Sequence, residues 1–222
     1  MRYPSVIAID GPVASGKTTI GRELARRLGY AFVDTGVYYR AATIAALDSG
    51  TPLDDEAALT RLAQGLVVRL GDEGESVFLG GADVTSRLRD PDVDAGVSPV
   101  AKVPGVRRAM VAQQRSTAEG GDVVMVGRDI GTIVLPGAAK VYLDASPEER
   151  ARRRFKELAG TDQARSETDV LRNLKMRDAT DSGRADSPLR VAEDAHRFVT
   201  DGLEVADVVE RVLVALGMEE TE

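Results

Sequence analysis

Apolar positions along the chain fall into short continuous runs separated by stretches of helical periodicity. Val6 to Ile9 is such a run, rich in β-branched residues and closed by Asp10-Gly11-Pro12, and it predicts a buried strand. From Ser15 the pattern turns helical: Ile20, Leu24 and Leu28 recur four apart, and Gly29 supplies a stop. Tyr30 to Asp34 predicts a second strand and Thr35 to Leu47 a helix that ends near Gly50. After a helix over Glu56 to Gly65, Leu66 to Leu70 and Ser76 to Leu79 read as strands around Gly71-Asp72-Glu73-Gly74, with a third at Val84. Val103 to Glu119 is helical, opening at Pro104 and ending at Gly120-Gly121. Val123 to Val126 and Lys140 to Leu143 are again buried-type strands. Ser146-Pro147-Glu148-Glu149 combines a Ser cap, Pro at the first helical position and Glu at the third, a helix start for 147–159. Gly160 to Arg165 reads as a polar loop, Ser166 to Ala179 as a helix and Thr180 to Pro188 as a loop. His196 to Val199 reads as a last strand, which assigns His196 a structural place, and Glu204 to Leu216 as a closing helix.

Apolar strands alternating with helices indicate an α/β fold with a parallel sheet covered on both faces. The consecutive hairpins interrupt that alternation and mark an inserted lobe over about residues 54–100. In such sheets ligands bind at the carboxyl ends of the strands, so the residues following each strand are the ones to inspect.

Composition narrows the chemistry. The 222 residues suit one domain, and 43% apolar content suffices for a core. With no Cys, disulfides, thiolate metal sites and a Cys nucleophile are excluded; one His excludes a multi-His metal site. The net charge of −7 argues against a nucleic-acid partner, whose affinity would need clustered Lys and Arg. The charge is uneven: residues 150–190 hold eleven basic against seven acidic side chains, so this segment is +4 and the rest −11. The first apolar run is too short for a signal peptide, and Val212 to Met218 is too short for a membrane span, so a soluble cytoplasmic protein without a membrane partner is expected.

Gly11-Pro12-Val13-Ala14-Ser15-Gly16-Lys17-Thr18 fits G-x-x-x-x-G-K-[ST], with a strand before it and a helix after. The glycines let backbone N–H groups wrap a polyphosphate at a helix N-terminus, and Thr19 continues the cradle. Lys17 would reach the β/γ-phosphates, and the Thr18 hydroxyl would ligate Mg²⁺. Since the chain carries no guanine-reading Asn-Lys-x-Asp, a small kinase is favoured. Such an enzyme must hold a second, anionic substrate, for which Arg is suited by its planar bidentate fork. Arg40, Arg128 directly after the Val123 to Val126 strand, Arg177 and Arg184 are the candidates.

Several further stretches share one resemblance. They are Ile9-Asp10-Gly11-Pro12, Asp34-Thr35-Gly36-x-x-Tyr39-Arg40, and Ser98 followed by Val106-Arg107. Further along come Gly127-Arg128-Asp129-Ile130-Gly131-Thr132, Tyr142-Leu143-Asp144-Ala145-Ser146-Pro147-Glu148-Glu149-Arg150 and Arg177-Asp178-x-x-Asp181-x-x-Arg184-x-x-x-Pro188-Leu189. In order and over nearly the whole chain, they resemble the bacterial cytidylate kinases. The resemblance implies a P-loop, nucleoside-monophosphate-kinase fold of three layers with a five-stranded parallel sheet, a small α+β acceptor-binding lobe and a helical lid. Its core would be about 1–53, 101–150 and 190–222, the lobe about 54–100 and the lid about 150–190. It also implies ATP as co-substrate with Mg²⁺, CMP or dCMP as acceptor, and a monomer.

By position, the resemblance assigns Ser98, Arg107 and Asp129 to the cytosine edge and Arg177 with Asp181 to the sugar. Thr35, Arg40, Arg128 and Arg184 would surround the acceptor phosphate, with Lys17, Arg128 and Arg184 closest to the chemistry. Cytosine offers an amino donor to a carboxylate such as Asp129; uracil reverses that polarity, worth about 1–3 kcal/mol of discrimination. From the residues alone, Ser98 also reads as a helix cap before Pro99, and Asp129 and Asp181 as surface acids or Arg partners. The alternatives are a kinase for UMP, AMP or a small hydroxylated metabolite, and more remotely an ATP-switched nucleic-acid-binding module.

Overall fold

The computed structural model describes residues 4–71, 76–160, 166–184 and 186–218. Its strands are β1 (Val6–Asp10), β2 (Ala31–Asp34), β3 (Val68–Leu70), β4 (Val77–Leu79), β5 (Ala82–Asp83), β6 (Val123–Gly127), β7 (Ala139–Asp144) and β8 (His196–Val199). The helices in the first half are α1 (Lys17–Leu28), α2 (Gly36–Asp48), α3 (Glu56–Gln64), α4 (Pro91–Ala101) and α5 (Pro104–Thr117). Those that follow are α6 (Pro147–Leu158), α7 (Glu167–Ser182) and α8 (Val205–Ala215).

The chain forms two compact units, Met1–Phe32 with Gly121–Glu222 and Val33–Gly120. The first is built on a five-stranded sheet of order β2-β6-β1-β7-β8, in which β1 runs parallel to β6 and β7, and β7 parallel to β8. This is the α/β parallel-sheet architecture that the alternating pattern predicts. β1 and β6 are nearly continuous apolar runs because both their faces are buried, and β7 is buried through its centre as well, Lys140 included. One face, with Ile7, Ile9, Val124, Val126, Val141 and Leu143, shares a core with Ile20 and Leu24 of α1 and Val208, Val209 and Val212 of α8. The edge strand β8 reads as less apolar because it is covered less: His196 is exposed and Val199 is 57% exposed.

α1 ends where the sequence places its stop, with Gly29 in the left-handed conformation and Arg26 and Arg27 favourably placed in the last turn. α6 begins as expected too: Ser146 Oγ accepts the N–H of Glu149 at 3.2 Å, with Pro147 at the first position.

The second unit contains the antiparallel sheet β3-β4-β5, with α2 packed on α4 and α3 on α5. α4 escapes the sequence pattern because Gly96 and Pro99 look like breakers. Its reason is packing: a Cβ at Gly96 would stand 2.8 Å from both Leu53 Cδ1 and Thr43 Cγ2, so glycine lets α4 lie close to α2. Ser98 therefore sits inside a helix and does not cap one. The third lobe strand lies at Ala82–Asp83, just before Val84, and α7 continues to Ser182, beyond the expected end at Ala179. The turn at 72–75 and most of the predicted loop Gly160 to Arg165 lie outside the described residues. Among the described residues no helix is long and apolar enough to cross a membrane.

Candidate functional site

β1 delivers the chain to the phosphate-type loop at the carboxyl edge of the sheet, where Asp10 is in register with Gly127 of β6 and with Tyr142 of β7. The loop is tightly bent. Gly11 has φ +153°, and a Cβ there would lie 2.0 Å from the carbonyl oxygen of Leu143; Ala14 and Gly16 have φ of +60° and +94°. Pro12 and Ser15 are buried, Val13 and Ala14 half-buried, and Thr18 and Thr19 follow in the first turn of α1.

Three of the loop's carbonyl oxygens are held from outside the motif and a fourth by Lys17 within it. Gly11 O accepts from Arg128 Nη1 at 3.3 Å, Val13 O from Arg150 Nη1 at 3.2 Å and Ser15 O from Thr200 Oγ1 at 3.2 Å. Pro12 O accepts the buried Lys17 ammonium at 2.5 Å. Thr200 is in turn gripped by Arg153, whose guanidinium donates to its hydroxyl at 3.0 Å and its carbonyl at 2.6 Å. Next to the loop, a cavity of about 560 Å³ is lined by Thr18, Thr19, Arg22, Val205 and Ala206 among others.

At the end of β6 the chain turns through Arg128 and Asp129 into one π-helical turn, Ile130–Val134. Asp10 fixes that turn: its two carboxylate oxygens accept the N–H groups of Ile130 and Gly131. Asp129 itself is buried. Arg128 reaches across to α7, donating from Nε to Asp181 Oδ2 at 2.8 Å, while Arg184 pairs with the other oxygen of the same carboxylate. Asp181 is 5% exposed. Burial alone would push its pKa up, but Arg128 and Arg184, with Arg177 one turn earlier, hold it below the usual carboxylate range. The structure thus gathers Arg128, Arg177, Asp181 and Arg184 into one charged cluster.

In the second unit, Thr35 is buried at the start of α2, where Asp34 Oδ1 accepts the N–H of Gly36 at 3.0 Å. Arg40 pairs with Asp94 of α4 at 2.6 Å and donates to Leu88 O at 2.6 Å. Asp94 and Ser98 are one turn apart and share a face of α4. Arg107 on α5 is only 2% exposed, donates to Ala101 O at 3.2 Å and stacks 5.1 Å from the centroid of Tyr39.

Sequence reasoning did not single out roles for Asp10, Asp94, Arg150, Arg153 or Thr200, which act by holding other groups. An acid closing the strand before the loop, and a Ser-Pro-Glu-Glu-Arg helix start after another strand, are the signals that could have found Asp10 and Arg150.

Much of the basic segment is neutralised locally. Glu149 takes Arg152 and Arg153 and is held down to about 2, chiefly by its hydrogen bond from Arg152. Arg154 pairs with Glu157, Arg172 with Asp169, and Arg150 with Asp178. Among the described residues, much of the segment's positive charge therefore lies in arginines paired with neighbouring acids.

Known proteins share this arrangement of sequence. A cytidylate kinase from Caldanaerobacter subterraneus subsp. tengcongensis is 46% identical over 211 residues, covering 95% of this chain and 93% of its own. One from Geobacillus kaustophilus is 48% identical, covering 93% and 94%. Among solved structures, an uncharacterized protein from Eubacterium ventriosum superposes with a TM-score of 0.50 at 12% identity over 96% of this chain and 99% of its own, a likeness of fold alone. The family model described as Cytidylate kinase matches residues 7–217, which takes in the loop, the Arg128 turn and the α7 cluster together, so the chain belongs to the cytidylate kinase family.

Proposed function

We infer that the protein transfers the γ-phosphoryl group of ATP to CMP or dCMP, giving CDP or dCDP and ADP. The observation that carries this reading is the first unit's edge of the sheet, where the Lys17-bearing loop follows β1 and Arg128, paired with Asp181 beside Arg184, follows the adjacent β6. With three of its carbonyls tied to Arg128, Arg150 and Thr200, the loop is held in one shape at the N-terminus of α1, where a polyphosphate is favoured, and the cavity beside Thr18 and Thr19 offers room for the nucleoside of ATP. Arg128 and Arg184, with Arg40 and Thr35, are assigned to the acceptor phosphate, Arg177 and Asp181 to its sugar. Asp129, Ser98 and Arg107 are assigned to the cytosine edge. Asp129 is buried, and uracil would present it with the opposite polarity to cytosine's amino donor.

The acceptor needs no general base, because a phosphate monoester with a second pKa near ~6 is largely a dianion at neutral pH. The barrier lies in bringing two anions together, and fixed cations in a site shielded from water oppose that repulsion. Among the described residues no group of three or more His, Cys, Asp or Glu could hold a metal. Mg²⁺ binds largely through substrate phosphates and water with few protein ligands, and the Thr18 hydroxyl in the first turn of α1 is the group that would touch it. When bound, Mg²⁺ neutralises charge on the β- and γ-phosphates. Assaying ATP with Mg²⁺ against CMP, dCMP, UMP and AMP tests the reading. CMP and dCMP should turn over fastest; equal rates with UMP would remove the role given to Asp129.

A further inference from the structure

Arg150 is the most connected side chain that the proposed chemistry does not use. It lies in the first turn of α6 and is 4% exposed. Its guanidinium spends each edge on a different element: Nε donates to Ala145 O at 3.0 Å, Nη1 to Val13 O at 3.2 Å and Nη2 to Asp178 Oδ2 at 2.7 Å. Ala145 follows β7, Val13 lies in the phosphate-type loop, and Asp178 belongs to α7. The other oxygen of Asp178 is buried and has no hydrogen-bond partner among the described residues, so this carboxylate is committed to Arg150.

Packing repeats the same link. Ala151 and Leu158 of α6 and Val170, Leu171 and Leu174 of α7 form a small apolar cluster, and the side chain of Val13 packs against it. Val13 is therefore held twice, by its carbonyl through Arg150 and by its side chain through the cluster. Asp178 follows Arg177 directly and lies three residues before Asp181, one turn along the helix. A shift of α7, which carries Arg177 and Asp181 and ends two residues before Arg184, is thereby linked through Asp178 and Arg150 to Val13.

We propose that Arg150 and Asp178 are positioning residues that couple acceptor binding at α7 to the grip of the phosphate loop on the nucleotide. The coupling rests on the function proposed above, in which α7 contacts CMP and the loop contacts ATP. It is a free-energy linkage: CMP raises affinity for the nucleotide, and the nucleotide raises affinity for CMP by the same factor. A rigid three-way donor is required; Lys offers charge without the planar fork, and Asn at 178 keeps the shape of Asp without its charge.

The test is calorimetric titration of a non-hydrolysable ATP analogue with and without saturating CMP. Wild type, Asp178→Asn and Arg150→Lys are compared, and thermal unfolding of each is followed. Wild type should bind the analogue several-fold more tightly with CMP present. In Asp178→Asn that ratio should fall toward one while affinity without CMP stays within about twofold, since Arg150 keeps its bonds to Ala145 and Val13. Arg150→Lys should lose both the ratio and about tenfold in affinity. A purely structural role would lower the unfolding midpoint and leave the ratio intact. A wild-type ratio of one, or a wild-type ratio retained in either variant, overturns the proposal. Titrating CMP alone into wild type separates the two readings: absence of binding removes the proposed function, whereas binding without coupling removes only this inference.

Discussion

The carboxylate of Asp10 accepts the backbone N–H of Gly131 at 2.7 Å, and its second oxygen accepts that of Ile130 at 2.8 Å. One side chain at the end of β1 thereby fixes the turn that carries Arg128 and Asp129. Burial pushes the Asp10 carboxyl up to about 6, outweighing the two backbone hydrogen bonds that pull it down, with nearby Asp129 adding to the rise and Lys17 opposing it.

The pH dependence of stability follows from that shift. An unfolded Asp10 titrates near 3.8 and the folded one near about 6, so its favourable contribution is complete below the lower value and is lost as pH rises through the upper one. The gap corresponds to about 3 kcal/mol. Asp10→Asn removes the titration. The unfolding free energy of wild type relative to the variant should therefore drop by about 3 kcal/mol between roughly pH 3.5 and pH 7, measured by urea denaturation. A difference independent of pH would show that Asp10 is ionised normally.

Lys17 is buried against the loop and donates to Pro12 O. Lys17→Ala should cut turnover roughly 10²–10³-fold, the usual loss for one preorganised donor in a transition state. The unfolding midpoint should move by only a few degrees. Near-normal turnover in a saturating CMP assay would place the phosphoryl group elsewhere.

Gly11→Ala tests the bend of the loop. The new Cβ would stand 2.0 Å from Leu143 O, so the end of β7 or the loop must shift. A loss of at least about 2 kcal/mol is expected, or roughly 4–8 °C in the unfolding midpoint of a chain this size. An unchanged midpoint would mean that the contact relaxes freely.

Asp181→Asn leaves two guanidinium groups facing a neutral amide. Because Arg184 and Asp181 are both nearly buried, the loss should be about 3 kcal/mol at neutral pH, accompanied by a rise in KM for CMP. Asp181 is depressed below its ordinary value near 3.8, so the stability it brings is present above that pH and fades as pH falls through its lower native pKa. The cost of the substitution should accordingly shrink in acid, by chemical denaturation at both ends of the range. A cost that grows in acid would contradict the pairing.

Elements whose apolar period matches their burial could be read directly from the residues. Ile20, Leu24 and Leu28 on α1 and the runs of β1, β6 and β7 are of this kind, since local pattern and tertiary environment agree. α4 was not legible because the cause of Gly96 is distant: it accommodates Leu53 and Thr43, and nothing local marks a glycine of that kind. At the site, Lys17, Arg40 and Arg128 were visible from their places after strands, whereas Ser98 and Arg107 were found through family resemblance. Asp94, Asp10 and Thr200 were missed for one physical reason: each acts on a partner far away in sequence.

The loop between Gly11 and Gly16 is stabilised through its backbone carbonyls, and three of those bonds, at Gly11, Val13 and Ser15, come from side chains outside the eight-residue motif. Pattern matching on eight consecutive residues therefore captures only the half of the motif that faces the ligand. The other half is written 137 residues further on at Arg150 and 185 residues further on at Thr200. Grafting the eight residues onto another strand–helix junction would transfer the spelling of a nucleotide site without the scaffold that gives it shape.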